Sequence, residues 1–122
     1  MFRQWSTASD RSHIELSRRA VRDLRAIPRK QLERVILPRL NGLEATSSPE
    51  NLDVRPVAGH APWLRLRAGN FRILFRRLTR AELDLLALRR GTVESDTGFL
   101  IARIVDRSEL EPAVDTVELI EP

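Results

Sequence analysis

The spacing of apolar residues changes several times along the chain, and each change predicts an element. His13-Ile14-Glu15-Leu16 alternates, which predicts a short strand with Ile14 and Leu16 facing inward. After Ser17, a residue type suited to capping, Ala20, Val21, Leu24 and Ile27 recur at three- and four-residue spacing and predict a helix that Pro28 stops. A second helix is predicted from about Arg29 to Leu43, with Leu32, Val35, Ile36, Leu40 and Leu43 on one stripe and a kink or split at Pro38. These two helices make a hairpin with one apolar seam. Residues 45–53 (ATSSPENLD) read as a loop, 54–57 as a short edge strand, and Gly59-His60-Ala61-Pro62 as a turn.

From Trp63 to Phe75 the period returns to two on both sides of Gly69-Asn70, a dipeptide able to supply the positive φ of a two-residue hairpin loop. That loop pairs Ala68 with Phe71, Leu66 with Ile73 and Leu64 with Phe75, and puts all six on one face. The other face then carries Trp63, Arg65, Arg67, Arg72, Leu74 and Arg76, with Arg67 directly across from Arg72. Like charges at opposed positions are unfavourable in an isolated sheet, so this face wants a counter-anion, and phosphate is the obvious one. Further on, Thr79-Arg80-Ala81-Glu82 has capping-box spacing ahead of a helix at about 80–90, whose leucines read as core cover. Residues 91–98 read as a flexible returning loop, which makes 79–98 an insertion between two sheet strands. Phe99 to Val105 is a continuous apolar run, predicted to be a central strand and broken only by Arg103; strand parity puts Arg103 and Arg107 on one side. A last helix is predicted from Ser108 to about Val117.

Composition narrows the class. A length of 122 residues fits a single domain across 1–122, with the polar stretch 1–12 predicted to be a flexible N-terminus. The chain has no cysteine, which excludes a disulfide framework and thiolate metal sites. It also lacks a signal-like apolar segment or a membrane-length apolar run, so a cytoplasmic protein with no membrane association is expected. Net charge is +4, and it is uneven: from Arg103 to Pro122 two arginines face six acids, so the rest of the chain carries +8. Residues 62–80 hold six arginines (65, 67, 72, 76, 77 and 80) and no acid, the pattern of a surface that meets a polyanion. All basic residues but Lys30 are arginine, a bias that a GC-rich coding sequence explains, so only their placement is informative.

The order strand, two-helix hairpin, three-stranded antiparallel meander and short helix, with WLRLRAGNFRILF at 63–75 and FLIARIVDRSEL at 99–110, resembles the RelE/ParE family of type II toxin-antitoxin toxins. The resemblance covers roughly residues 13–115. It implies an α+β RelE-like fold, a two-helix hairpin packed on a small antiparallel sheet whose other face is basic. It also implies cleavage of messenger RNA, in many members at the ribosome, and neutralisation by a cognate antitoxin protein. By position it assigns Arg65, Arg72 and Arg107 to the scissile phosphate, with Arg67 at a less diagnostic basic position. Asp106 stands where the family often has His, and the family's final Tyr is missing, with Leu110 and Glu111 bracketing its place.

The chemistry stands without the family. Cleavage of RNA by its own 2′-OH needs in-line geometry, stabilisation of a pentavalent phosphorane and transfer of two protons. Guanidiniums serve the phosphorane well, being planar, bidentate towards phosphate and permanently charged, and for the same reason they are poor bases. Glu111, with Glu109 second, is the nearby general-base candidate, and neither a metal nor a cofactor is required. Arg76, Arg103 and Trp63 are candidate RNA contacts; each also has a plain structural reading as a solvated charge, an ion pair or a packing aromatic. Arg107 is either a phosphate ligand or an ion-pair partner of Glu111. His13 and His60 lie far apart in sequence and on different predicted elements, which argues against a paired catalytic role; RNA contact by His60, in the loop before the hairpin, is the lesser reading. Two other functions remain open, a ParE-like inhibitor of DNA gyrase and a catalytically silent binding protein.

Overall fold

The computed structural model describes residues 11–91 and 95–117, so most of the expected N-terminal flexible stretch and the middle of the 91–98 loop fall outside the described residues. Five strands, β1 (Ser12–Leu16), β2 (Val54–Pro56), β3 (Leu64–Ala68), β4 (Phe71–Arg77) and β5 (Thr97–Asp106), form one sheet in the order β1-β5-β4-β3-β2. β1 runs parallel to β5 and the remaining neighbours are antiparallel, so the sheet is mixed rather than wholly antiparallel. β5 lies between β1 and β4, the central place its apolar run predicts, but begins at Thr97 within the segment expected to be loop.

Helix α1 (Arg18–Ala26) starts where the sequence indicates. Ser17 Oγ accepts from the Ala20 N–H at 3.0 Å and donates to Ala102 O at 2.8 Å, so one hydroxyl caps the helix and fastens it to β5. Helix α2 runs through 29–44 as Arg29–Gln31, a π-helical turn Leu32–Ile36 and Leu37–Glu44. The irregularity expected at Pro38 takes the form of this π-helical turn directly before it, and Pro38 stands in the first turn of the segment Leu37–Glu44. The Leu37 N–H reaches back five residues to Leu32 O, and this wider turn absorbs the residue that has no N–H to donate. Leu40 and Leu43 keep their inward place, and Ile36 is fully buried.

The hairpin register is the one that the Gly69-Asn70 loop dictates, including Arg67 across from Arg72. Within that loop Gly69, and not Asn70, takes a positive φ, +59°, the requirement of a turn that needs glycine first. Leu66, Ala68, Ile73 and Phe75 are buried against both helices with Phe99, Ile101 and Ile104. Phe75 and Phe99 meet edge to face with ring centroids 5.5 Å apart.

The reverse face differs from the open basic surface expected. Trp63, Leu74, Leu78, Leu100 and Ala102 form a second apolar cluster there, covered by Leu83 and Leu86 of helix α3 (Arg80–Arg90) and by Val114 and Val117. Thr79 and Glu82 make the reciprocal capping box that their spacing predicts. Two covering elements therefore confine the exposed arginines to the loop end of the hairpin. The last helix is also shorter than expected: a 3₁₀ turn, Arg107–Glu109, precedes helix α4 (Leu110–Val114).

Candidate nucleic-acid interface

Arg65 and Arg67 on β3, Arg72 on β4 and Arg107 after β5 come together at this end of the sheet. Arg72 sits at their centre. Desolvation lowers its pKa from the ordinary arginine value, and the guanidinium charges of Arg65, Arg67 and Arg107 lower it further, opposed by Asp53. It stays charged, and the like-charge crowding is the state that a bound anion relieves. The Arg72 guanidinium is aimed by its own hairpin, Nη1 donating to Gly69 O at 3.0 Å and to Phe71 O at 2.9 Å. The Arg107 N–H donates to Asn70 O at 2.8 Å, which ties the 3₁₀ turn to the hairpin loop.

Asp106 has a visible task at the position where the resemblance leads one to expect His. Its Oδ1 accepts from the Ser108 N–H at 3.0 Å and from Ser108 Oγ at 2.8 Å, and these bonds, backbone first, hold its carboxyl below the ordinary aspartate range. It thus caps the turn that presents Arg107. The Asp-x-Ser spacing was the sequence signal for this cap.

A cleft of about 460 Å³ opens beside the cluster, lined by Pro56, Val57, Ala58, His60, Arg65, Leu110, Glu111, Val114 and Asp115. It joins Arg65 to Glu111, so the proposed base and the basic site share one surface. It also includes His60, whose place in the same cleft as Glu111 no local pattern in the sequence reveals.

Three other expected contacts are occupied within the fold. Arg76 makes a two-pronged pair with Glu82, 2.7 Å from Nη1 to Oε1 and 2.8 Å from Nη2 to Oε2, and covers the Trp63 ring at 5.6 Å from its centroid. Trp63 is itself buried, 3% exposed, which leaves its ring no broad face for stacking. Arg103 is held by Asp23 of α1, Nε to Oδ2 at 2.8 Å and Nη2 to Oδ1 at 3.2 Å. β5 ends at Asp106, so strand alternation does not itself extend to Arg107, which belongs to the 3₁₀ turn.

No family model and no curated protein matches the chain. Solved structures do. A chain of the archaeal RelE-RelB complex from Pyrococcus horikoshii OT3 is 18% identical and superposes with a TM-score of 0.53, over 79% of this chain and 94% of that one. A chain of the toxin-antitoxin complex RelBE2 from Mycobacterium tuberculosis is 18% identical with a TM-score of 0.54, over 80% of this chain and 99% of that one. The likeness is one of fold: the chain has a RelE-like α+β architecture.

Proposed function

We propose that this chain is the toxin of a type II toxin-antitoxin pair, a cytoplasmic endoribonuclease that cuts messenger RNA at the ribosome and is silenced by a cognate antitoxin. The observation that carries the reading is the convergence of Arg65, Arg67 and Arg107 on Arg72, four guanidiniums crowded on one surface beside a cleft that contains a carboxylate. The RelE-like fold shared with chains from two toxin-antitoxin complexes supports it.

In this reading the scissile phosphate lies against Arg72, with Arg65 and Arg107 on the non-bridging oxygens, where charge builds as the 2′-oxygen attacks. Arg67, more exposed, neutralises a neighbouring phosphate. Glu111 takes the 2′-hydroxyl proton, and the products are a 2′,3′-cyclic phosphate and a 5′-hydroxyl. An acidic antitoxin segment laid over the same arginines would block the phosphate site, and such pairing is fast and salt-sensitive.

The test is induction in bacteria without a partner, with RNA ends mapped across the transcriptome. Growth arrest with discrete cyclic-phosphate ends is expected, both abolished when Arg65 and Arg72 are replaced by Ala. Undiminished toxicity in that folded double variant removes these residues from the site. Double-strand DNA breaks without transcript cleavage would replace the reading with gyrase inhibition.

A further inference from the structure

The cleft beside the arginine cluster has two walls. One is helix α4 and the residue after it, bringing Leu110, Glu111, Val114 and Asp115; the other is the end of β2 and the turn that follows it, bringing Pro56, Val57, Ala58 and His60, with Arg65 supplied by β3. Glu111 accounts for one of the two protons that must move during scission. The leaving 5′-oxygen needs the other, and the arginines do not provide it, because a guanidinium does not give up a proton near neutral pH.

His60 lines the same cleft, on a turn whose backbone is fixed. Its N–H donates to Val57 O at 3.1 Å, its carbonyl accepts from the Trp63 N–H at 2.9 Å, and the Val57 N–H donates to Trp63 O at 3.0 Å. The turn that carries the imidazole is therefore closed by three backbone hydrogen bonds and anchored on Trp63, which is buried between the sheet and its covering helices. Of the side chains lining the cleft, His60 alone belongs to the type that ordinarily exchanges a proton near neutrality.

We infer that His60 is the general acid of RNA scission, protonating the departing 5′-oxygen from the wall that faces Glu111. This rests on the RNA-cleavage reading above. The bond from the 2′-oxygen to phosphorus forms, the bond from phosphorus to the 5′-oxygen breaks, Glu111 receives the 2′-hydroxyl proton and His60 delivers one to the 5′-oxygen. Proton exchange with solvent then restores both groups, and no water is consumed in the step.

The experiment compares single-turnover cleavage of a ribosome-bound message carrying either the natural oxygen or a bridging 5′-sulfur at the scission point. A thiolate departs without protonation, so sulfur makes a general acid unnecessary. His60→Ala and His60→Gln should lose about 10² to 10⁴ fold on the oxygen message and return to within about tenfold of wild type on the sulfur message. Glu111→Gln should stay slow on both, and melting curves check that each variant is folded. A folded His60→Gln that cuts the oxygen message at the wild-type rate overturns the assignment. Equal slowing on both messages overturns it too, by making His60 a structural or binding residue. Wild type cutting neither message, with no RNA ends in cells, overturns the RNA-cleavage reading itself and the assignment with it.

Discussion

Replacing Asp23 with Ala should destabilise the protein by about 3 kcal/mol, more than any single arginine change at the basic surface. Asp23 Oδ2 serves two donors, Arg103 Nε at 2.8 Å and the Ile104 N–H at 2.9 Å, while Oδ1 accepts from Arg103 Nη2 at 3.2 Å. The two side chains are only 15% and 16% exposed. Removing the carboxylate strands a largely buried guanidinium, a loss of about 3–5 kcal/mol for a fully buried pair, and orphans an N–H, worth about 1–3 kcal/mol. The residual solvent access at both groups reduces that sum to about 3 kcal/mol. Arg103→Met should cost less, about 1–2 kcal/mol, because the carboxylate keeps the Ile104 N–H and Met replaces much of the packing of the arginine's aliphatic stem. The double variant should then show a coupling of about 1.5 kcal/mol between the two positions. Urea unfolding at constant m-value reads all three. Single variants that each cost under about 0.5 kcal/mol, with no coupling, would refute the clamp and return Arg103 to the pool of free cations.

Three further outcomes are expected. Arg76, by hydrogen bonding first and then with help from Thr79, holds the Glu82 carboxyl at about 2 against an ordinary 4.5. Its folded pKa lies below its unfolded one, so its stabilisation is complete above pH 4.5 and is lost as pH falls towards 2. Glu82→Gln should therefore be about 1–2 kcal/mol less stable at neutral pH, after allowance for partial solvation, and the gap in urea midpoints should close near pH 2; a constant gap contradicts the pairing. Gly69→Ala forces a side chain into φ +59° and sets its Cβ 3.1 Å from Val35 Cγ1, so a loss of about 1–2 kcal/mol in thermal or urea unfolding is expected, and a neutral result would mean a different hairpin loop. Arg72→Ala should lower RNA cleavage by about 10² to 10³ fold yet leave stability within about 0.5 kcal/mol of wild type or slightly above, since it relieves like-charge crowding; a large loss of stability would make Arg72 a structural residue.

Local chemistry made much of the fold legible. Gly69-Asn70 with alternating flanks specified the hairpin register down to Arg67 opposite Arg72, and Thr79 with Glu82 specified the capping box. Ser17 marked the start of α1, and the apolar run after Phe99 marked the central strand. Such signals act over a few residues, where backbone geometry and side-chain type suffice. The register pairs Leu74 with Arg103 and then Phe75 with Ile101, which leaves Ala102 over as a bulge in β5, and no composition rule announces that irregularity. Nor does one announce the capture of Arg103 by Asp23, 80 residues earlier in the chain. By itself the sequence determined an α+β chain with a basic hairpin, and with it the set of arginines able to meet a phosphate. Tertiary structure decided where each of them ends up: Arg76 and Arg103 found carboxylates on helices packed from elsewhere, while Arg65, Arg67, Arg72 and Arg107 were left crowded together at the sheet end beside a cleft holding His60 and Glu111. Pairing a partly buried charge depends on which elements pack against it, and that packing is set by the burial of two apolar clusters drawn from the whole chain.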